Sequence, residues 1–342
     1  MNDAITQFRD AIRAAGLNPP MDITSGKFHR FPGADKNDGN TAGWCLIFDN
    51  HQGGCFGDWS TGLSENWQIK REQPFSPDEQ VEFNKKVSEA KKAQETERQA
   101  KYTEAAKTAL NIWNESSELF ADQHQYALQK RIMTYGARLN KENLIIPIYW
   151  KEAISSLQFI SSNGSKYFLS NGKISGAYYT IGVIDSEKPI CIAEGFATAA
   201  SIYEATSYAV IVAFNANNLK PVALEIREKF PQALIIICAD DDIKTKGNPG
   251  MSSAKLAASI SNAKIAIPTF GEDRACNASD FNDMAILSGL EAVKRVIDTA
   301  QFIKNNHDWL EPVSLLAKIE PKPYPIEALP DSVREYGICQ RN

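Results

Sequence analysis

The chain has 342 residues, of which 43% are hydrophobic and 23% are charged, and its formal net charge is −5. These values are ordinary for a globular protein of two or three domains. The acidic balance excludes a simple basic coat protein for nucleic acid, but it does not exclude an enzyme that acts on nucleic acid, because bound cations reverse the field at an acidic site.

The cysteines and the amino terminus indicate a reducing compartment. The six cysteines are scattered, and Cys191 and Cys238 fall inside apolar, strand-like runs. The first residues lack the basic and apolar blocks of a signal peptide, and no apolar run approaches the ~20 residues that span a bilayer. We therefore expect a cytoplasmic protein with no membrane partner and no disulfide framework.

Two different units are predicted before residue 131. Residues 1–72 combine a short amphipathic helix with aromatic and glycine-rich segments, which predicts a small β-rich unit. Residues 73–130 carry mixed charges at helical spacing and become more apolar towards their end. This pattern predicts a charged, solvated helical linker that docks at its C-terminal end.

The remainder of the chain changes character twice. Residues 131–185 contain strand-like runs and the hairpin dipeptides Asn163-Gly164 and Asn171-Gly172, which predict an antiparallel α+β subdomain. Residues 186–303 alternate β and α patterns, which predicts an α/β domain with a parallel sheet. Residues 304–342 are proline-rich and are predicted to be an extended linker, beyond which we expect a larger protein to continue.

Acidic residues follow the predicted strands of the α/β region. Glu194 ends one apolar run, Asp240 and Asp242 end the next, and Asp280 follows a third. Strand alternation places Asp240 and Asp242 on one face and Asp241 on the other. Each acid has an ordinary alternative, a helix-terminal charge for Glu194 and a solvated turn for the aspartates. Carboxylates that converge at the carboxyl edge of a sheet repel one another unless a hard cation separates them, which predicts Mg²⁺ or Mn²⁺ and phosphoryl chemistry.

Three motifs in this order resemble the Toprim domain that bacterial-type primases, topoisomerases and some nucleases share. They are Glu194-Gly195, Asp240-x-Asp242 with Asn248-Pro249-Gly250, and Asp280-Phe281-Asn282-Asp283. The resemblance covers roughly residues 186–300 and implies that Glu194, Asp240, Asp242 and Asp280 are catalytic metal ligands. Cellular primases usually carry an acid where this chain has Thr198, and a second acid where it has Asn282, which favours a mobile-element branch.

The segments before the acidic motifs resemble those that precede Toprim in phage and plasmid primases. This resemblance implies that Arg138 and Lys166 bind phosphates of template or nucleotide, although each is also typical of a β-surface cation. Lys255, on the helix after residues 248–251, is a further candidate, and an ordinary surface lysine is its alternative. Residues 324–330 resemble the junction with a helicase region in primase-helicases.

The implied function is a DNA primase that makes short RNA primers. Its expected partners are a single-stranded DNA template, ribonucleoside triphosphates, and a replicative helicase or a helicase domain beyond the C-terminus. Two alternatives stay open: a Toprim nuclease that uses the same carboxylates, and a non-catalytic nucleic-acid-binding replication or interference factor. A topoisomerase is disfavoured, because no tyrosine-bearing cleavage domain is evident.

Primases often begin with a zinc ribbon, and the first unit offers only a weak ligand set for zinc. His29, Cys45, His51 and Cys55 are the candidates, but their spacing matches no standard zinc knuckle, so we do not expect zinc. A small aromatic core is the simpler interpretation of this unit. A third interpretation is that some exposed aromatic side chains stack on single-stranded bases.

Overall fold

The structure is a computed structural model, and its described residues form three β-sheets and eight α-helices. The predicted linker at residues 304–342 lies outside them. None of the described helices combines the length and the apolar character that crossing a lipid bilayer requires. The described residues are 2–59, 61–70, 75–118, 124–245, 247–271, 274 and 277–303.

The first sheet is a four-stranded antiparallel meander with a helix on one face. Phe8 and Ile12 of the helix are fully buried in a cluster with Cys45 and Phe56. The predicted small β-rich unit is therefore confirmed, and aromatic side chains build its core. Its elements are α1 (Asn2–Ala14), β1 (His29–Phe31), β2 (Gly43–Ile47), β3 (Gly53–Asp58) and β4 (Leu63–Gln68).

The long helix α2 (Pro77–Asn114) packs on two sheets rather than one. Its 38 residues span about 57 Å at 1.5 Å per residue. Phe83, Val87 and Ala90 pack against the first sheet, and Ala109 is buried against the second. The predicted docking at the C-terminal end is therefore incomplete. The first half also docks, because these three side chains recur at helical spacing and form one apolar stripe between charged residues.

The second sheet has five antiparallel strands in the order β5-β6-β7-β8-β9. Its central hairpin turns at Lys151 and Glu152, which both adopt positive φ angles of 49° and 68°. The first strand and α3 lie before residue 131, so this unit begins earlier than predicted. The first strand has only two residues, both exposed, and so short a strand has no alternating pattern by which the sequence could predict it. The elements are β5 (Ser117–Glu118), α3 (Gln125–Lys130), β6 (Arg138–Asn140), β7 (Asn143–Trp150), β8 (Ala153–Ile160) and β9 (Lys166–Phe168).

The third sheet has six strands in the order β10-β12-β11-β13-β14-β15, and its four central strands are parallel. This confirms the predicted α/β region. The strands are β10 (Tyr179–Ile181), β11 (Ile190–Ala193), β12 (Ala209–Val212), β13 (Ile235–Cys238), β14 (Lys264–Ala266) and β15 (Gln301–Phe302). The helices are α4 (Phe196–Thr206), α5 (Ala216–Lys229), α6 (Pro249–Ile260), α7 (Phe281–Ser288) and α8 (Leu290–Asp298).

Both faces of the third sheet are covered by helices. Cys191 and Ala193 of β11 pack in the cluster that contains α4, α7 and α8, whereas Ile190 and Ile192 pack in the cluster that contains α5 and α6. The chain leaves β11 for β12 on one side and later reaches β13 on the other side. This reversal makes the carboxyl ends of β11 and β13 the place where a doubly wound sheet opens a ligand crevice.

The second and third units are more closely joined than the predicted boundary at residue 185 suggests. Strand β10 falls in the predicted second unit, yet it pairs with β12 of the third sheet. Asn218 of α5 secures the same junction. It is 3% exposed, donates to the carbonyls of Ala177 and Ala213, and accepts a 2.7 Å hydrogen bond from the N–H of Gly176.

Replacing Asn218 should therefore destabilise the fold. Asn218→Ala leaves one backbone N–H and two carbonyls buried without their partner, so we expect the free energy of unfolding to fall by about 2–4 kcal/mol. Urea unfolding followed by circular dichroism measures this change. Asn217→Ala, at the exposed neighbouring position, is the control and should change stability by less than about 0.5 kcal/mol. Equal effects of the two variants would contradict the assigned role.

Candidate active site

The structure gathers the predicted acids at the carboxyl edge of the third sheet. Glu194 directly follows β11, and Asp240 lies two residues beyond β13, the neighbouring parallel strand. Asp280 caps the N-terminus of α7. Glu194, Asp242 and Asp280 all raise the pKa of Asp240 through their charges, which shows that the four carboxylates lie within electrostatic reach of one another.

Burial and mutual repulsion make this cluster unfavourable when it is fully ionised. Burial, followed by the charge of Asp242, raises the pKa of Glu194. Burial, followed by the charge of Glu194, raises the pKa of Asp240 well above its usual value. Lys166 opposes both shifts, and the backbone N–H of Ala216 donates to Glu194. The Oδ1 atom of Asp240 is buried and has no hydrogen-bond partner among the described residues. Such an oxygen is available to a cation.

Asp280 is held by two protein donors. The N–H of Asp283 donates to its Oδ1 at 2.8 Å, and the hydroxyl of Thr198 donates to its Oδ2 at 3.1 Å. Thr198, which stands where the resemblance expects an acid, therefore orients another acid. Asn282, the second departure, is fully buried and donates to the Lys130 carbonyl and the Ser201 hydroxyl. Its amide nitrogen therefore links α7 to α3 and α4.

Asn248 and Gly250 shape the loop that carries the aspartates. Asn248 has a φ of 41°, and its Oδ1 accepts from the backbone N–H groups of Asp242 and Met251 at 2.9 and 3.3 Å. A Cβ on Gly250 would stand 2.8 Å from both the Asp240 carbonyl oxygen and Asp242 Oδ2. The helix start must therefore be glycine for the carboxylate of Asp242 to keep its position.

Asp241 lies in the loop after β13 and bonds to groups outside the cluster. Arg274 donates to its Oδ2 and its carbonyl, both at 2.8 Å, and Asn248 donates to its Oδ1 at 2.8 Å. Burial raises the pKa of Asp241, but the hydrogen bonds from Arg274 and Asn248 outweigh burial and leave it below its usual value. Sequence reasoning missed Arg274, because its role depends on a contact with a residue 33 positions earlier in the chain.

The three predicted phosphate-binding cations lie in different places. Lys166 is at the carboxylates, with Nζ 3.9 Å from where a Cβ on Gly195 would stand. Arg138 donates to the Trp113 carbonyl at 2.8 Å and lies 4.3 Å from the centre of its ring, so it holds the end of α2. Lys255 is exposed on α6 and lowers the pKa of Asp241 by its charge. Only Lys166 is among the largest influences on the pKa of Glu194 and Asp240.

The four weak zinc candidates are not arranged as a ligand set. Cys45 and Cys55 pack in clusters on opposite faces of the first sheet. Burial raises the pKa of Cys45 to about 12 and that of Cys55 to about 11. His29 Nε2 accepts from the N–H of Thr24 at 2.9 Å, and His51 lies in the turn between β2 and β3.

Comparison with known proteins agrees with this geometry. Residues 189–291 match the family model of the Toprim domain. This part of the chain is a Toprim domain. The chain is also 31% identical over 284 residues to a DNA primase TraC of Escherichia coli. The matched region covers 77% of this chain and 19% of that protein. A second Escherichia coli DNA primase TraC is 28% identical and matches over 78% of this chain and 26% of its own length. The chain thus spans about a fifth to a quarter of these relatives.

Solved primase structures were also found as neighbours. The Aquifex aeolicus primase, with its zinc-binding and RNA polymerase domains, is 13% identical, with a TM-score of 0.37 over 87% of this chain and 85% of that one. The primase domains bound to the bacteriophage T7 lagging-strand DNA polymerase are 18% identical, with a TM-score of 0.35 over 49% of this chain and 82% of that one.

Toprim primases generally use a divalent metal ion, and the residues of this Toprim domain fit a hard cation. A hard cation is favoured by the unpaired oxygen of Asp240, by the raised pKa values of Glu194 and Asp240, and by a donor set that contains only oxygen atoms. In the part of the chain that is described, no three Asp, Glu, His or Cys side chains already form a metal-binding group. Mg²⁺ generally completes its coordination shell with water and substrate phosphates.

Removing one negative charge from the cluster of Glu194, Asp240, Asp242 and Asp280 should stabilise the metal-free protein. A raised carboxyl pKa in the folded state means that stability falls as pH rises from about 4 to the folded-state pKa. Asp240→Asn should remove part of this loss and raise the melting temperature at pH 8 in EDTA, by about 2–4 °C for each kcal/mol of repulsion relieved. Differential scanning fluorimetry across pH tests this, with Asp185→Asn as an exposed control. A lower melting temperature for Asp240→Asn at pH 8 would contradict the repulsion.

A methyl group at Gly250 should disturb the loop that carries Asp240 and Asp242. We expect Gly250→Ala to weaken stabilisation by added Mg²⁺ or Mn²⁺ by about tenfold in apparent affinity, because the new Cβ would stand 2.8 Å from both the Asp240 carbonyl oxygen and Asp242 Oδ2 and must shift the loop that carries both acids. Thermal shifts at increasing metal concentration measure this. Gly39→Ala, where nothing lies within 4 Å of the added Cβ, should behave as wild type. Unchanged metal affinity in Gly250→Ala would contradict the requirement for glycine at this position.

Proposed function

We propose that this chain is a metal-dependent DNA primase, which joins ribonucleotides into short RNA primers on single-stranded DNA during plasmid or phage replication. The observation that carries the proposal is the meeting of Glu194, Asp240 and Asp242 with Lys166 at the open edge of a Toprim domain. The similarity to TraC primases over most of this chain supports it.

Each side chain in the cluster has a distinct proposed role. Glu194, Asp240 and Asp242 hold Mg²⁺ or Mn²⁺, and Asp280 adds negative charge beside them. The metal, when bound, lowers the pKa of the attacking primer 3′-hydroxyl and neutralises charge on the incoming triphosphate. Lys166 binds a phosphate of that triphosphate, because it is the cation already facing the carboxylates. Since Glu194 and Asp240 have raised pKa values, metal binding competes with protons and strengthens as pH rises.

The other predicted cations contribute less directly. Arg138 is engaged by Trp113, so we assign it to the packing of α2 and not to a phosphate. Lys255 is exposed on the helix next to the aspartate loop and remains a candidate for a template phosphate outside the cluster. A single-stranded template, ribonucleoside triphosphates and a replicative helicase are the partners that this function requires.

Primer synthesis on mixed-sequence single-stranded DNA tests the proposal. The reaction contains labelled ribonucleotides with Mg²⁺ or Mn²⁺, and short products are separated on a denaturing gel. We expect Asp240→Asn and Asp242→Asn to lower product formation by about 100-fold or more, and Lys166→Ala by about tenfold, because each removes charge stabilisation at the reacting phosphate. Asp185→Asn, an exposed carboxylate elsewhere, should retain full activity.

The alternatives give different results in the same assay. Degradation of the template that depends on Asp240 and Asp242 would indicate that the protein is a Toprim nuclease and not a primase. Template binding without synthesis or degradation, and without dependence on metal, would indicate a binding factor. Products that persist in both aspartate variants would contradict the assignment of the site.

A further inference from the structure

Arg274 joins two segments of the Toprim domain that carry different acids of the candidate active site. Its guanidinium donates to the carboxylate and to the carbonyl of Asp241, the middle residue of the motif 240–242. Its Nε donates to the carbonyl of Ala278 at 2.8 Å, two residues before Asp280. One side chain therefore contacts both the loop after β13 and the segment that leads into α7.

No strand or helix holds these two segments together. The described residues between Ala266, where β14 ends, and Phe281, where α7 begins, form neither helix nor strand. The N–H of Asp241 also donates to the carbonyl of Ser279 at 2.7 Å. The residue directly before Asp280 is thus joined to the aspartate loop by this backbone hydrogen bond, and Arg274 adds its side-chain contacts beside it.

The guanidinium of Arg274 is already engaged at each of its three nitrogens. Nε, Nη1 and Nη2 each donate at 2.8 Å, to the Ala278 carbonyl, the Asp241 carboxylate and the Asp241 carbonyl. The guanidinium carbon also lies 4.4 Å from the centre of the Phe270 ring, and the side chain is only 20% exposed. Because the planar guanidinium presents its donors in a fixed fork, these contacts fix its orientation. They favour an arginine that orients its neighbours over one that binds a phosphate.

Asp241 connects Arg274 to the neighbouring ligand through Asn248. Asn248 donates to Asp241 Oδ1 at 2.8 Å, and the oxygen of the same amide accepts from the N–H of Asp242 at 2.9 Å. The two carboxylate oxygens of Asp241 are therefore divided between Asn248 and Arg274. A shift of Asp241 would be passed to the backbone of Asp242 through this amide.

We propose that Arg274 and Asp241 form a positioning pair, which sets the relative positions of Asp240, Asp242 and Asp280 without contacting metal or substrate. This role rests on the metal site of the proposed function. It also gives the middle acid of the motif a purpose of its own, since Asp241 with Arg274 holds the two segments together and adds no net charge beside the cluster.

A variant that removes the pair but keeps the net charge tests this role in the full chain. In Asp241→Asn/Arg274→Ala one negative and one positive charge are lost together, so a change in metal affinity reports geometry. Arg227→Gln is the matched control, because Arg227 also donates to backbone carbonyls of the Toprim domain, but at the amino ends of β13 and β14. Its acceptors are the carbonyls of Pro231, Ala233, Ser261 and Asn262.

Three measurements are made on each protein. Thermal shifts at increasing Mn²⁺ concentration, without nucleotide, give the apparent metal affinity. Hydrogen exchange in EDTA follows residues 277–285, and primer synthesis gives kcat and the KM for ribonucleotides. We expect the double variant to bind Mn²⁺ about fivefold more weakly, to exchange faster across residues 277–285, and to lower kcat about tenfold with KM within about twofold of wild type. Arg227→Gln should lower the melting temperature without changing the Mn²⁺ affinity or this exchange.

Several results would overturn the positioning role. They are unchanged Mn²⁺ affinity in the double variant, an equal loss of affinity in Arg227→Gln, and a raised KM with unchanged kcat, which would make Arg274 a substrate-binding residue. If wild type does not respond to Mn²⁺, the metal site of the proposed function fails, and unchanged exchange across residues 277–285 in EDTA still overturns the pair independently. Arg274→Lys, which keeps the charge but cannot bond all three acceptors, is the deciding variant if the double variant fails to fold.

Discussion

Repulsion among half-buried carboxylates is the constraint on which this site depends. Strands β11 and β13 are hydrogen-bonded in register, with Ala193 opposite Cys238, so Glu194 and the residues leading to Asp240 are held about one strand spacing, roughly 4.8 Å, apart. The acids cannot separate without breaking the central pair of the sheet. The apolar burial of the strands, which drives folding, therefore also enforces an arrangement that is electrostatically unfavourable until a cation arrives.

The groups that oppose this repulsion come from outside the two strands. Lys166 belongs to β9 of the second sheet, and the N–H of Ala216 belongs to the start of α5. The site is consequently complete only when the second sheet is docked on the third. Asn218 and a shared apolar cluster, in which Leu144 and Ile146 meet α4, hold that junction. Stability of the junction and charge balance at the site are thus two consequences of the same packing.

Features that depend on local interactions could be predicted from the sequence, whereas features that depend on contacts in the folded chain could not. The convergence of the acids was predictable because the carboxyl ends of neighbouring parallel strands meet at one edge of a sheet. Lys166 and Arg138 were both proposed from family resemblance, and the contact of Arg138 with Trp113 is met only in the folded chain. Arg274 was not predictable, because a cation in an irregular segment gives no periodic signal. The packing of the first half of α2 was not predicted, because its short apolar stripe is surrounded by charged residues.

The two departures from the cellular pattern bear on how the metal is held. Both oxygens of Asp280 already accept hydrogen bonds, one from the N–H of Asp283 and one from the hydroxyl of Thr198. Asp240 differs, because its Oδ1 is buried without a partner. An unpaired buried oxygen gains more from a cation than one that must share or exchange an existing donor. With neutral Thr198 and Asn282 the site also carries less negative charge than two further acids would supply. We infer that Glu194, Asp240 and Asp242 provide the main ligands, and that Asp280 contributes chiefly through its charge.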